Sequence, residues 1–212
     1  MKPNATNGRY LKWFNDIEKE LWRLFALFGD LCARCALQTL ADSESGRREG
    51  RADWCCCMID NQVHDNWQAL NANQNRFDSG WYEKLQRLEL GRMPGNGPCP
   101  ALGPTGCQLK KVRPITCTTQ LCNKMLAVLN KLDLVKCPAH SALQIEDFLE
   151  LPDILPALYG TARKPQRVSL NEVEQYLATV RELRFRFRAI PAADRQAAID
   201  AVADQYGLKI KT

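Results

Sequence analysis

The sequence predicts a mostly α-helical protein: an irregular helical region carrying a cysteine cluster and a Gly/Pro-rich loop, followed by C-terminal helices. Three observations predict it. Apolar residues recur at steps of three and four from Tyr10 to Cys32. A second amphipathic pattern opens at Ser169 with the capping-box sequence "SLNE". Alternating patterns that would mark strands are few, and no internal repeat is present.

The first pattern spans residues 9 to 41. Tyr10, Phe14, Ile17, Leu21, Leu24, Phe25, Phe28, Leu31 and Cys32 form one apolar stripe on a long helix. Cys35 follows Cys32 at i+3, so both thiols share that face. Trp13 and Trp22 are nine positions apart and do not share a face, which leaves one of them for a protein partner. Residues 42–53, "DSESGRREGRAD", read as an exposed loop. Helices are expected over 60–76, where Val63, Trp67 and Leu70 give a thin apolar face, and over 80–90. Residues 91–106, "GRMPGNGPCPALGPTG", hold five glycines and four prolines, a density that no regular element survives. Residues 118–133 read as a helix with Thr118 or Thr119 at its N-cap. Pro152 and Pro156 keep any helix over 144–160 short. The helix opened by Ser169 runs to about Ala189, where Pro191 breaks it. A last helix covers roughly 192–206 and ends before Gly207.

The 212-residue chain is long enough to bury a core without cross-links, and its 45% hydrophobic and 25% charged content is ordinary for a soluble globular protein. No uninterrupted apolar run reaches the roughly 18 residues of a membrane span. The N-terminus lacks the basic-then-apolar order of a secretory leader. These observations predict a cytoplasmic protein without a membrane partner. The net charge of +5 is spread among acids, so charge alone does not favour nucleic acid. "RELRFRFRAI" (181–190) alternates basic and aromatic residues. That pattern suits contact with RNA or an acidic partner, but it lies inside a helical pattern with Leu177, Val180 and Leu183, so its phenylalanines are expected in the core instead.

Ten cysteines carry the chemistry, all between 32 and 137. In a reducing compartment such a set points to metal binding or catalysis rather than disulfides. Neighbouring cysteines also diverge too far to bridge well, so the triplet Cys55, Cys56 and Cys57 is not a disulfide site. The spacings are Cys32-x2-Cys35, the triplet, then Cys99-x7-Cys107-x9-Cys117-x4-Cys122. A CxxC lets both thiolates turn toward one ion, and four ligands complete a site. Soft thiolates select zinc or an iron–sulfur cluster over hard cations. Nine candidate ligands follow: Cys32, Cys35, Cys55, Cys56, Cys57, Cys99, Cys107, Cys117 and Cys122. One or two centres fit that number, and one member of the triplet is spare if each centre takes four. Cys117 and Cys122 flank an expected helix start, whose dipole favours thiolate. Cys137 is more readily a packing residue, and His64 and His140 are not counted as ligands.

The stretch "CPALGPTGCQLKKVRPITC" resembles the signature of the YkgJ-type cysteine-cluster family of zinc- or iron-chelating domains. That family has an opening CxxC with a nearby cysteine pair, then Cys, Cys, Arg-Pro and Cys, with a further Cys close behind. Here these positions map to Cys32, Cys35, two of Cys55–Cys57, Cys99, Cys107, Arg113, Pro114, Cys117 and Cys122. Nineteen residues separate Cys35 from the triplet, where the family pattern is almost continuous, and three adjacent cysteines stand where it has two. Arg113 is expected to offset the negative charge of a multi-thiolate site. A weaker similarity extends to the flagellin lysine methylases.

The expected organisation is a helical metal-binding region over 1–142 with a helical segment, 143–212, packed on it, the two together forming one domain or two. The first function expected is metal binding through the cysteine cluster. The alternatives are an iron–sulfur enzyme of redox or methyl transfer, or a zinc-braced module for a protein or RNA partner.

Overall fold

The computed structural model describes residues 5–44, 102–107, 120–136, 143–145, 149, 154, 158 and 167–208, with backbone alone at 5–8, 10, 11, 43, 44, 120, 143 and 144. The described elements are mostly α-helical. In chain order they are α1 (Ala5–Phe25), a 3-10 turn (Ala26–Phe28), α2 (Gly29–Glu44), β1 (Leu102–Gly103), β2 (Gly106–Cys107), β3 (Gln120–Leu121), α3 (Asn123–Lys131), β4 (Leu143–Gln144), α4 (Leu170–Ala189) and α5 (Ala192–Gln205). The expected helices over 60–76 and 80–90 lie outside the described residues.

The expected long N-terminal helix forms, but as two α-helices joined by one tighter turn. The apolar stripe packs as its spacing requires: Phe14, Ile17, Leu21, Leu24, Phe25, Phe28 and Leu31 are all buried. Trp13 is buried too, with the Arg9 guanidinium 5.9 Å from its ring centre, while Trp22 is half-buried. By length and composition the helical stretch Lys12–Asp42 is apolar enough to cross a membrane, although no uninterrupted apolar run reaches that length. Half of its most apolar window is buried inside the protein.

The main partner of α1 is α4. Ser169 caps α4 as expected: its hydroxyl accepts from the Glu172 amide, and the Glu172 carboxylate accepts from the Ser169 amide. The Ser169 hydroxyl also donates to that carboxylate (2.6 Å), and this bond, with the one from the Ser169 amide, holds the Glu172 carboxyl below its ordinary range. Val173, Tyr176, Leu177, Val180, Leu183 and Phe187 form the buried face. Phe187 meets Phe28 with ring centres 5.2 Å apart. Phe185, expected in the core, is exposed instead. It lies two residues from Phe187, about 200° around the helix, so only one of the two can face α1.

At the end of α4 the chain turns through Pro191 into α5. Arg195 of α5 donates to the carbonyl oxygens of Phe187 and Arg188, satisfying the open end of α4. Helix α5 packs on both α2 and α3. It ends at Gly207 (φ +65°), with Leu208 N–H bonded to Ala203 O and Gly207 N–H to Asp204 O. Glycine adopts that left-handed conformation without the penalty of a side chain. Lys124 of α3 is buried with its ammonium 5.1 Å from the Tyr206 ring, joining α3 to the end of α5.

Two departures from the expected elements concern strands. The Gly/Pro-rich loop contains a short antiparallel hairpin, with Leu102 opposite Cys107 and Gly103 opposite Gly106. Pro104 and Thr105 form its exposed turn, so proline occupies a turn corner and costs no ladder hydrogen bond. Helix α3 starts later than expected, at Asn123. Cys122 is its N-cap, and Gln120–Leu121 instead pairs antiparallel with Leu143–Gln144. Leu121 is fully buried in that pairing. Ile145, Ile154 and Leu158, in the region of short helices, are helical and buried. One hydrophobic cluster draws on all five helices and on Leu102 and Leu121.

A polar link joins α2 to α5. Arg34, buried on α2, donates to Asp200 of α5 (2.6 Å) and pairs with Asp30 (2.7 Å). Gln196 donates to both Asp30 and Asp200. Burial alone would lower the Arg34 pKa, but the hydrogen bonds to Asp200 and Asp30 outweigh it and raise it. Hydrogen bonds from Arg34 and then Gln196 hold the Asp200 carboxyl below its ordinary 3.8.

Because the folded Asp200 pKa is depressed, its contribution to stability is complete above the ordinary carboxylate range and is lost as pH falls through the folded value. Asp200→Asn is expected to be less stable than the parent at neutral pH. The difference should shrink toward about pH 3, as read by urea unfolding at the two pH values. Phe187→Ala is expected to cost about 3–5 kcal/mol, since it opens a cavity against Phe28, and the midpoint of thermal or urea unfolding would report it.

Candidate metal centre

Four of the nine expected ligands lie among the described residues. Helix α2 carries Cys32, half-buried, and Cys35, buried, one turn apart on the side that meets the core. Asp30 stands in the first turn of α2, where an acid suits the helix dipole. Thr39 donates from its hydroxyl to the Cys35 carbonyl (2.8 Å), anchoring the backbone under that thiol.

The β1–β2 hairpin packs directly on α2. Gly106, which is buried and has φ +100°, faces α2 there. A β-carbon there would lie 3.6 Å from the Cβ of Cys32. Cys107 follows immediately and packs on the same cluster as Cys32 and Cys35. A CxxC and a cysteine distant in the chain are therefore brought to one helix–hairpin junction. Leu102, buried opposite Cys107, anchors the other strand.

Cys122 caps α3 with extended backbone (φ −69°, ψ 159°), and its carbonyl accepts the first helical bond, from Leu126 N–H. Its thiol makes no capping bond and stands at the positive end of the helix, where thiolate is favoured. The helix start expected between Cys117 and Cys122 falls instead just after Cys122, which is itself the cap. Cys32, Cys107 and Cys122 are each part-exposed, the setting in which a thiolate can form.

Among the described residues, no three of His, Cys, Asp and Glu come together as a metal site. Cys55, Cys56, Cys57, Cys99, Cys117, Cys137, His64, His140 and Arg113 lie outside them. The described thiols are soft donors, and Cys32, Cys35 and Cys107 stand on the two elements that meet at the α2–hairpin junction. Arg34, one residue before Cys35, is held by Asp30 and Asp200, so its charge is directed at carboxylates. Gly106 was not singled out by the sequence. Its signal was the Gly-Cys step after "GPT", where a tight turn calls for a glycine beside Cys107.

No protein-family model, curated protein or solved structure matches the chain. The site is therefore read from its own residues.

Gly106→Ala tests the junction. The added methyl would meet Cys32 at ordinary contact distance, so conformation rather than space sets the cost. A non-glycine residue at that φ is expected to cost about 1–3 kcal/mol. Lower stability in urea, with lower metal content in the purified protein, is the expected result.

Proposed function

We propose that this chain is a metal-binding protein whose cysteine cluster holds zinc or an iron–sulfur cluster. The single observation that supports it is the packing of Gly106 on Cys32, which joins the strand bearing Cys107 to the helix bearing the CxxC. Cys32, Cys35, Cys99, Cys107, Cys117, Cys122 and two of Cys55, Cys56 and Cys57 would be the ligands. The same residues carry the resemblance to the YkgJ-type family, and membership is proposed on that motif alone. Arg113 would offset the charge of the thiolates. Bound zinc would supply a fixed link between segments, and an iron–sulfur cluster would supply one-electron transfer. A reducing, cytoplasmic setting suits either, because it keeps the thiols available.

The chain's own residues prepare such a site without the metal. Helix α2 fixes the CxxC pair, Thr39 holds the Cys35 carbonyl, and the start of α3 favours thiolate at Cys122.

Elemental analysis and an absorption spectrum of protein purified without oxygen test the proposal. Zinc or iron should copurify, with brown colour only for an iron–sulfur cluster. Single Cys→Ser changes at 32, 35, 107 and 122 should each lower metal content, as should two of the three changes at 55, 56 and 57. A fully folded protein containing no metal would overturn the reading.

A further inference from the structure

Counted along the chain, the charges of α1 are interleaved; around the helix, they are sorted. Arg9, Lys12, Asp16, Lys19 and Arg23 recur at steps of three and four and share one stripe. The four cations are exposed and Asp16 is half-buried, while Glu18 and Glu20 turn inward and are buried. At 1.5 Å per residue, the cations span about 21 Å.

The stripe continues onto α4. Arg23, Arg181 and Arg184 all pair with the single carboxylate of Glu20. Three guanidiniums against one carboxylate leave a surplus of two positive charges. Beyond them stands Phe185, 71% exposed. Arg181 and Arg188 lie one turn away from it on either side, Arg184 and Arg186 are its chain neighbours, and Glu182 is the acid of that end. Arg186 and Arg188 are exposed.

We infer that this α1–α4 face binds single-stranded nucleic acid, with phosphates along the α1 cations and the arginine cluster, and a base stacked on Phe185. A straight row of cations suits a linear polyanion, and an exposed ring among guanidiniums suits an unpaired base. A folded acidic partner would offer scattered carboxylates rather than a line of charge. A membrane surface would need an apolar helix face, whereas Phe14, Ile17, Leu21 and Leu24 of α1 are turned into the core. The face uses none of the cysteines, so it does not depend on the metal reading.

Fluorescence anisotropy of the full chain with a labelled oligothymidylate of about 12 nucleotides tests this. Binding is expected at about 50 mM salt and should weaken steeply toward about 200 mM. The four α1 contacts alone contribute about −3 to the log–log salt slope, from roughly 0.7 per neutralised phosphate, and the α4 arginines make it steeper. Lys12→Ala with Lys19→Ala should make that slope shallower by about 1.4. Phe185→Ala should weaken binding roughly tenfold and leave the slope unchanged. All three positions are exposed, and circular dichroism would check that the variants stay helical. The inference is overturned by no binding at about 50 mM salt, or by binding indifferent to these variants. Equal binding of polyglutamate would mean an acidic protein partner instead, and sedimentation with phosphatidylserine vesicles but not with the oligonucleotide would mean a membrane surface.

Discussion

Burial of the apolar face of α1 against α4 is the contact on which the rest of the structure depends. It joins the first helix to the next-to-last one, so everything between them must close within that frame. Glu20 against Arg184 marks a point along it, and Phe28, in the turn that follows α1, meets Phe187 at its end. The aromatic pair contributes area and close packing. The buried carboxylate contributes direction, because a helix rotated away from its arginines would leave a charge without a partner in a dry setting.

From that contact the cysteine-bearing elements are placed in sequence. Helix α1 runs through one tight turn into α2, which fixes Cys32 and Cys35. Helix α4 turns at Pro191 into α5, and α5 reaches α2 through Arg34, Asp30, Gln196 and Asp200 and also packs on α3, the helix that Cys122 caps. The hairpin then docks on α2 where Gly106 leaves room beside Cys32. The thiols are presented by a scaffold whose own packing comes from apolar side chains, so a bound metal would join segments already held close. Chelation would then loosen the hairpin side of the molecule more than the α1–α4 pair.

The two proposed sites are built by different physics. The cysteine junction depends on tertiary contact between segments far apart in the chain, and its chemistry is that of soft donors. The basic face needs only helical periodicity on α1, plus the docking of α4 that sets Arg181 and Arg184 against Glu20, with Phe185 exposed on the outer side of α4. Glu18 and Glu20 are acids by composition, yet they contribute little to the outer field because they face inward. Net charge read from composition therefore understates how basic that side is.

The sequence by itself determined the helical class, the stripe from Phe14 to Leu31, the Ser169 capping box, the break at Pro191 and the stop at Gly207. Each is a local signal, set by periodicity, capping bonds or backbone freedom within a few residues. The cysteine spacings were equally plain as a donor set. Tertiary structure alone decided the rest. It made strands of 102–107 and 120–121, where the Gly/Pro content and a helical pattern suggested otherwise, because strand pairing is satisfied by residues that lie elsewhere in the chain. It chose Phe187 over Phe185 for the core, since only one side of α4 meets α1. It also set Gly106 against Cys32, a contact between a helix and a hairpin that no local pattern encodes.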